Sequence, residues 1–137
     1  MKAIVDTNIV LDVLLQREGF YDDSYQILSL IAQGKIDGWF PAGCVADVFY
    51  ILRRAGLDSS SARMAVLALT KVVPLCETHP SAVTKALGYT MNDLEDAILA
   101  ATAQRIGAEV VITRNIKDYV SSPVEAWSPS QVLDSVR

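Results

Sequence analysis

Short apolar runs alternate with longer amphipathic segments along this chain of 137 residues. Lys2–Val5 is an apolar run of strand length that ends at an aspartate, and Val110–Thr113 is a second run of this kind. Three weaker candidates have the same character: Trp39–Pro41, Val72–Leu75 and Val124–Trp127. Uniformly apolar strands are typical of a parallel sheet that is buried on both faces. The pattern therefore predicts such a sheet.

Segments with helical periodicity or helix-capping residues fill the intervals between these strands. The predicted helices are Asn8–Leu15, a helix from Asp22 to a stop at Gly34, Gly43–Arg54, a helix from the cap cluster at Asp58 to about Thr70, Pro80–Leu87, Asn92–Ile106 and a terminal helix from Pro129. Strands and helices thus alternate, which favours an α/β fold. We expect a three-layer α/β/α sandwich with a central parallel sheet, built as a single domain over residues 1–137.

Composition and charge narrow the class of protein. Hydrophobic residues make up 51% of the chain and charged residues 20%, which is enough apolar material for a packed core. The net charge of −4 and the pI of about 4.8 argue against a basic surface that binds nucleic acid directly. They do not exclude an enzyme that meets phosphates through bound metal ions. Cys44 and Cys76 have no metal-site spacing and are expected to be reduced core thiols.

The chain has no predicted membrane segment or signal peptide. Its apolar stretches are shorter than the roughly 20 residues that span a bilayer. The first apolar run is interrupted by Asp6 and Asp12, so it does not form the core of a signal peptide. We therefore expect a cytoplasmic protein without membrane association.

Polar residues with carboxylates follow the two clearest strands. Asp6-Thr7-Asn8 ends the first strand, and Thr113-Arg114-Asn115 ends the later one, with Asp118 close behind. The longest helix opens with Asp93 and Asp96, which are three residues apart and share a helix face. Ligands of parallel sheets bind at the carboxyl ends of the strands, so these residues are candidates for one site.

Aspartates gathered at one edge would repel one another unless a cation compensates them. Carboxylate oxygens are hard ligands that suit Mg²⁺ or Mn²⁺ rather than zinc. Such ions lower the pKa of a bound water and neutralise charge that develops on a phosphate. The predicted chemistry is therefore metal-dependent hydrolysis of phosphodiesters.

Three segments of the chain together resemble the motifs of PIN domains, in particular VapC-like ribonucleases. Asp6-Thr7-Asn8 is similar to the opening motif, residues 92–97 to the acidic helix start, and residues 111–119 to the closing motif. They occur in order and at suitable spacing over essentially the whole chain. The resemblance implies a parallel α/β/α fold and an endoribonuclease that cleaves single-stranded RNA. It also implies a homodimer or larger assembly and, for many members, a toxin paired with an antitoxin protein.

The resemblance also assigns roles to individual residues. The catalytic acids would be Asp6, Asp47, Asp96 and Asp118. The ligands of Mg²⁺ or Mn²⁺ among them would be Asp6, Asp96 and Asp118. Residues that orient the ligands or the attacking water would be Thr7, Asn8, Asp93, Thr113 and Asn115. Contacts to the RNA would come from Arg54 and Arg114. Asp47 stands where the family usually has a longer glutamate, which favours contact through a bridging water.

Each of these aspartates also has a purely structural interpretation. Asp6 is a favoured residue at a helix N-terminus, where it would accept from a backbone N–H. Asp93 would complement the helix dipole, and Asp118 would stabilise a turn. Asp47 would be a solvated position on an amphipathic helix. The structural interpretation is favoured for Asp12, as a solvated acid or a partner of a basic group, and for His79, as a surface turn residue.

Two other functions fit parts of the pattern. A catalytically degenerate PIN-like module would bind RNA or protein without turnover, because Asp47 fails to complete the site. A receiver- or phosphatase-like protein would use an aspartate as phosphoacceptor. Phosphatases of that kind have a second aspartate where Asn8 stands, and receiver domains have an acidic pair where Asp6 stands alone. The nuclease hypothesis is therefore preferred.

Overall fold

A computed structural model describes residues 1–136 of the chain and contains a five-stranded sheet. The strands are β1 (Lys2–Val5), β2 (Asp37–Pro41), β3 (Leu75–Cys76), β4 (Val110–Ile112) and β5 (Glu125–Trp127). Their order across the sheet is β3-β2-β1-β4-β5, and every neighbouring pair is parallel. The prediction of a central parallel sheet is confirmed, with β1 in the middle.

Seven α-helices lie within the described residues, at the positions that the sequence pattern predicted. They are α1 (Thr7–Leu14), α2 (Tyr21–Ala32), α3 (Val45–Arg54), α4 (Ser59–Val72), α5 (Pro80–Ala86), α6 (Leu94–Ile106) and α7 (Pro129–Val136). Short 3₁₀ segments occupy Ala42–Cys44 and Ile116–Tyr119. No helix within residues 1–136 combines the length and the apolar character needed to cross a membrane.

The strand predicted at Val72–Leu75 was placed too early. Helix α4 continues to Val72, and the backbone N–H of Val73 still donates to the carbonyl of Leu69. The Pro74 carbonyl accepts from the backbone N–H of Phe40 at 2.9 Å, and the paired residues of β3 begin at Leu75, which lies opposite Phe40. The apolar run therefore contains the last residue of α4, a two-residue connection and the first residue of β3.

Successive residues of the central strands enter two separate cores. Ala3 and Val5 pack into one core with helices α1–α4 and α7, while Ile4 packs into the other with α5 and α6. In β4, Val110 and Ile112 pack into the first core and Val111 packs into the second. This alternation, with both faces covered, confirms the three-layer α/β/α architecture.

The register between β1 and β4 brings the ends of these two strands together. Val5 lies opposite Ile112, and the backbone N–H of Asp6 donates to the Ile112 carbonyl at 2.9 Å. The next residue of β4 is Thr113, whose N–H donates to Trp127 of β5 at 3.0 Å. Asp6 and Thr113 are therefore fixed side by side at the carboxyl edge of the sheet.

Candidate active site

Asp6 is buried at the end of β1 and accepts hydrogen bonds from four groups, three of which lie within 3.1 Å. The Thr113 hydroxyl donates to its Oδ2 at 2.8 Å, and the Tyr119 hydroxyl donates to the same oxygen at 3.1 Å. The backbone N–H of Thr7 donates to Oδ1 at 2.7 Å, so Asp6 also caps helix α1. Burial raises the pKa of Asp6, and these hydrogen bonds oppose that rise. The capping interpretation and a role in the site are therefore compatible.

Tyr119 connects Asp6 to Asp96. Its hydroxyl lies 3.1 Å from Asp6 Oδ2 and 3.2 Å from Asp96 Oδ1. Because a phenol carries one proton, it cannot donate fully to both carboxylates at once. Burial raises the pKa of Tyr119, so the phenol stays protonated. No role was predicted for Tyr119, although it follows Asp118 in the closing motif.

Asp96 lies in the first turn of α6, where Asp93 fixes the start of the helix. Asp93 Oδ1 accepts from the backbone N–H of Asp96 at 2.9 Å, so Asp93 is the N-cap residue. Partial burial and then the charges of Asp6 and Asp93 raise the pKa of Asp96 to about 7. Near neutral pH this site therefore holds carboxylates that lack a compensating charge.

Three polar residues around Asp6 form a connected set of hydrogen bonds. The Asn8 amide donates to Asp6 Oδ2 at 3.4 Å and to the Thr113 hydroxyl at 3.3 Å. The backbone N–H of Asn115 donates to that hydroxyl at 3.0 Å. Thr7 contributes its backbone N–H to Asp6 rather than its hydroxyl. These contacts hold Thr113 in position to donate to Asp6.

Asp47, Asp118 and Glu95 lie around this central pair with exposed side chains. Partial burial and the charges of Asp47, Asp93 and Asp6 raise the pKa of Glu95, so α3 and the start of α6 form one acidic surface. Asp118 makes a smaller contribution to the raised pKa of Asp96. Glu95 was not predicted as a site residue, although it lies between two aspartates that were.

The assignment of Asp6, Asp96 and Asp118 as ligands of one ion stays a prediction. Within residues 1–136, no three acidic, cysteine or histidine side chains stand close enough to form a preassembled metal site. The fold brings Asp6 and Asp96 onto one hydroxyl, whereas Asp118 extends into solvent. Further convergence of charged carboxylates would be opposed by their mutual repulsion.

Arg114, predicted to bind RNA, is engaged by Asp12 in this structure. Its Nε donates to Asp12 Oδ2 at 2.7 Å and its Nη2 to Oδ1 at 3.0 Å, while the guanidinium lies 3.9 Å from the centre of the Phe20 ring. Asp12 is 0% exposed and also accepts from Ser24, with Arg17 at 3.5 Å. The solvated interpretation of Asp12 is wrong, and its pairing with a basic group is confirmed.

The remaining candidates lie outside the central pair. Arg54 is exposed at the end of α3. His79 caps α5, and its Nδ1 accepts from the Ser81 N–H at 3.0 Å, which matches the expected structural role. Cys44 and Cys76 are buried free thiols, as predicted. Burial, followed by the charge of Glu95, raises the pKa of Cys44 to about 12, so this thiol is protonated at neutral pH.

Known proteins match nearly the whole length of this chain. Ribonuclease VapC1 of Aquifex aeolicus (strain VF5) is 22% identical over 97% of this chain and 94% of its own length. Among solved structures, VapBC2 from Rickettsia felis bound to a promoter DNA fragment has a TM-score of 0.71 at 15% identity, covering 93% of this chain and 98% of that one. Mycobacterium tuberculosis VapC20, a toxin that cleaves the sarcin-ricin loop, has a TM-score of 0.66 at 11% identity, covering 90% and 98%.

The family assignment rests on a longer match than any one motif provides. Residues 2–117 match the PIN domain as a family. This range contains the end of β1, the start of α6 and the first residues after β4, which supply the central carboxylates and their hydrogen-bond partners other than Tyr119. The chain belongs to the PIN-domain family.

Proposed function

We propose that this protein is a divalent-metal-dependent endoribonuclease that hydrolyses phosphodiester bonds of single-stranded RNA. The observation that carries the proposal is the Asp6–Asp96 pair, in which two carboxylates share one phenolic hydroxyl and each has a raised pKa. Perturbed carboxylates that meet at the carboxyl edge of a parallel sheet are typical of functional sites. The similarity to a curated ribonuclease over nearly the whole chain supports the same activity.

The donor set fits Mg²⁺ or Mn²⁺. Every charged group at the centre is a carboxylate, and hard oxygen donors of this kind are the ligands that these ions prefer. Asp6 and Asp96 would hold the ion, with Asp118 as a third acid reaching it directly or through water. A bound divalent ion lowers the pKa of water and neutralises charge that develops on a phosphate.

The surrounding residues hold the two carboxylates in position and add negative charge around them. Thr113 and the Thr7 N–H hold Asp6 in one orientation, and Asp93 fixes the backbone at Asp96. The Tyr119 hydroxyl bridges the two carboxylates, which share it as a hydrogen-bond donor. Asp47 and Glu95 add negative charge at the border of the site, which favours a cation over a bare phosphate.

The proposal is tested by cleavage of a fluorescently labelled single-stranded RNA with Mg²⁺ or Mn²⁺, and with EDTA. Asp6→Asn and Asp96→Asn should each reduce cleavage by about a thousandfold, since several kcal/mol of electrostatic stabilisation are lost. Asp22→Asn, which changes an exposed aspartate on α2, is the matched control. Cleavage by both site variants at the parental rate would overturn the proposal.

We further propose that the protein is the toxin of a toxin–antitoxin pair and functions as a homodimer. The structures it resembles include VapBC2 from Rickettsia felis and a toxin–antitoxin complex from Klebsiella pneumoniae. Expression of the chain should then arrest growth of its host, and co-expression of the gene next to its own should restore growth. If expression of the Asp6→Asn variant arrests growth as strongly as the parent chain, the protein is not a toxin that acts through this site.

A second candidate, a PIN-like module that binds RNA or protein without turnover, is favoured by one observation. Asp47 is short and exposed, and residues 1–136 contain no preassembled three-acid cluster. Calorimetric titration with Mn²⁺ separates the two functions. Binding that requires Asp6 and Asp96 supports the nuclease, whereas no binding at millimolar Mn²⁺, together with RNA binding, supports the module.

A further inference from the structure

A cavity of about 340 Å³ opens beside the Asp6–Asp96 pair, between the residues that lead into α6 and those that follow β4. It is lined by Thr90, Met91, Asn92, Asp93, Lys117, Asp118, Val120 and Ser121. We refer to it as the flanking cavity. Two of its lining residues, Asp93 and Asp118, are close enough to Asp96 to raise its pKa. A molecule in the flanking cavity would therefore lie next to the carboxylates of the site.

The lining combines apolar and hydrogen-bonding surfaces. Val120 is 86% exposed, so this apolar side chain has almost no protein packed on it, while Met91 is buried beneath the cavity. Uncharged donors and acceptors come from Thr90, Asn92 and Ser121. A volume above roughly 300 Å³ with these features suits a small planar molecule that has a polar edge. Unpaired nucleobases of single-stranded RNA are read in this way, by contact with their faces and hydrogen bonds to their edges.

The charges of the lining restrict which base fits. Asp93 and Asp118 are acceptors only, so they favour an edge that presents amino groups. Adenine, cytosine and guanine carry an exocyclic amino group, and uracil does not. Lys117 is the cation of the lining, and within residues 1–136 its ammonium forms no salt bridge with a carboxylate. It is thus available to a backbone phosphate beside the base.

We propose that the flanking cavity binds one unpaired, amino-bearing nucleobase next to the cleaved phosphodiester, and that Lys117 binds the adjoining phosphate. This inference rests on the proposed ribonuclease function and extends it to the substrate. Asn92 and Asp93 select the base, while Lys117 contributes affinity that does not depend on sequence.

The first test sequences the ends of products cut from a random pool of single-stranded RNA. One position beside the cut should favour amino-bearing bases over uracil by roughly tenfold, and Asn92→Ala should reduce that ratio to about twofold or less. Lys117→Ala should raise KM about tenfold and leave both kcat and the base preference unchanged. Gln26→Ala and Lys71→Ala, which change exposed residues on α2 and α4, should have neither effect.

The second test measures binding by Asp96→Asn protein of labelled oligo(A) and oligo(U), so it does not depend on cleavage. Tighter binding of oligo(A), lost when Asn92→Ala is added and kept when Gln26→Ala is added, supports the base site. If the parent protein cleaves RNA but neither test shows a base preference that depends on Asn92, the flanking cavity is not a base site and the ribonuclease proposal stands. If nothing is cleaved, the ribonuclease proposal fails, and equal binding of the two oligonucleotides rejects the base site as well.

Discussion

Asp6 and Asp12 are both buried, at the start and within helix α1, but their hydrogen-bond and charge partners differ. Asp12 receives a bidentate arginine, a second arginine and a serine hydroxyl. Asp6 receives only neutral donors, and a second carboxylate stands across the Tyr119 hydroxyl. Within the described residues, the protein thus supplies counter-charges to Asp12 and none to Asp6, as we expect if Asp6 binds a cation.

The same short segment after β4 serves both aspartates. Thr113 donates to Asp6, and the next residue, Arg114, donates to Asp12. The Asn8 amide connects the two sides, because its Oδ1 accepts from the Arg114 N–H at 3.4 Å and its Nδ2 donates to the Thr113 hydroxyl. The ion pair at Asp12 therefore anchors the segment that orients Asp6.

Removal of the arginine should produce the largest loss of stability. Arg114→Ala leaves Asp12 buried without its main counter-charge, and unpaired buried charges of this kind cost about 3 kcal/mol or more. Urea unfolding of the variant should show this decrease in the free energy of unfolding. Arg54→Ala, at an exposed arginine, should change it by less than about 0.5 kcal/mol. Equal effects of the two substitutions would mean that the buried pair does not anchor the segment.

Mn²⁺ should stabilise the protein through Asp6 and leave the Asp12 pair unaffected. An ion at about a hundred times its dissociation constant adds about 2.7 kcal/mol to the free energy of unfolding. Thermal unfolding with and without Mn²⁺ measures this increase, which Asp6→Asn should abolish. Arg114→Lys, which retains a cation opposite Asp12, should keep it. If Mn²⁺ still raises the unfolding temperature of the Asp6→Asn variant, the ion binds elsewhere.

Without metal, the stability of the protein should fall as the pH rises from about 4 to about 7. The pKa of Asp96 is raised from 3.8 to about 7, so the folded state holds a proton that the unfolded state has released. This contribution is fully present below pH 3.8 and is lost as the pH passes about 7. Urea unfolding between pH 4 and 8 in EDTA tests this slope.

Asp96→Asn supplies the matched comparison for that slope. Its free energy of unfolding should depend less on pH and should be about 1 kcal/mol higher than that of the parent at pH 8. The increase is small because solvent screens the charge of a half-buried group. The same variant should be inactive, so stability and function change in opposite directions. A loss of stability at pH 8 would show that Asp96 is held by contacts that compensate its charge.

Tyr119→Phe should have a small effect on stability and a measurable effect on activity. It removes one hydrogen bond, worth about 1 kcal/mol, from a site where the two carboxylates compete for it. Loss of a residue that orients metal ligands typically lowers activity by roughly 10-fold. Steady-state cleavage should show this decrease in kcat, with Tyr50→Phe, on an exposed tyrosine, as the control.

Several parts of the site followed from the sequence because their signals are local. Asp93 lies three residues before Asp96, whose backbone N–H it caps, and this spacing is typical of a helix start. Asp6 follows directly after an apolar run, which marks the end of a strand. The family motifs then linked these residues to one function. The predicted strand at Val72–Leu75 failed because an apolar run next to Pro74 has no periodicity that separates a helix end from a short strand.

Local patterning in the chain thus predicted most of the elements and placed Asp6 and Asp96 at the ends of two of them, since these features depend on neighbours within a few residues. Contacts over long separations were decided only by the folded structure. Tyr119 reaches Asp6 across 113 residues, and Arg114 reaches Asp12 across 102. From the sequence alone, neither Arg114 nor Tyr119 is marked as the partner of a buried aspartate. Which carboxylate is neutralised and which keeps its charge depends on packing that brings distant segments within hydrogen-bond distance.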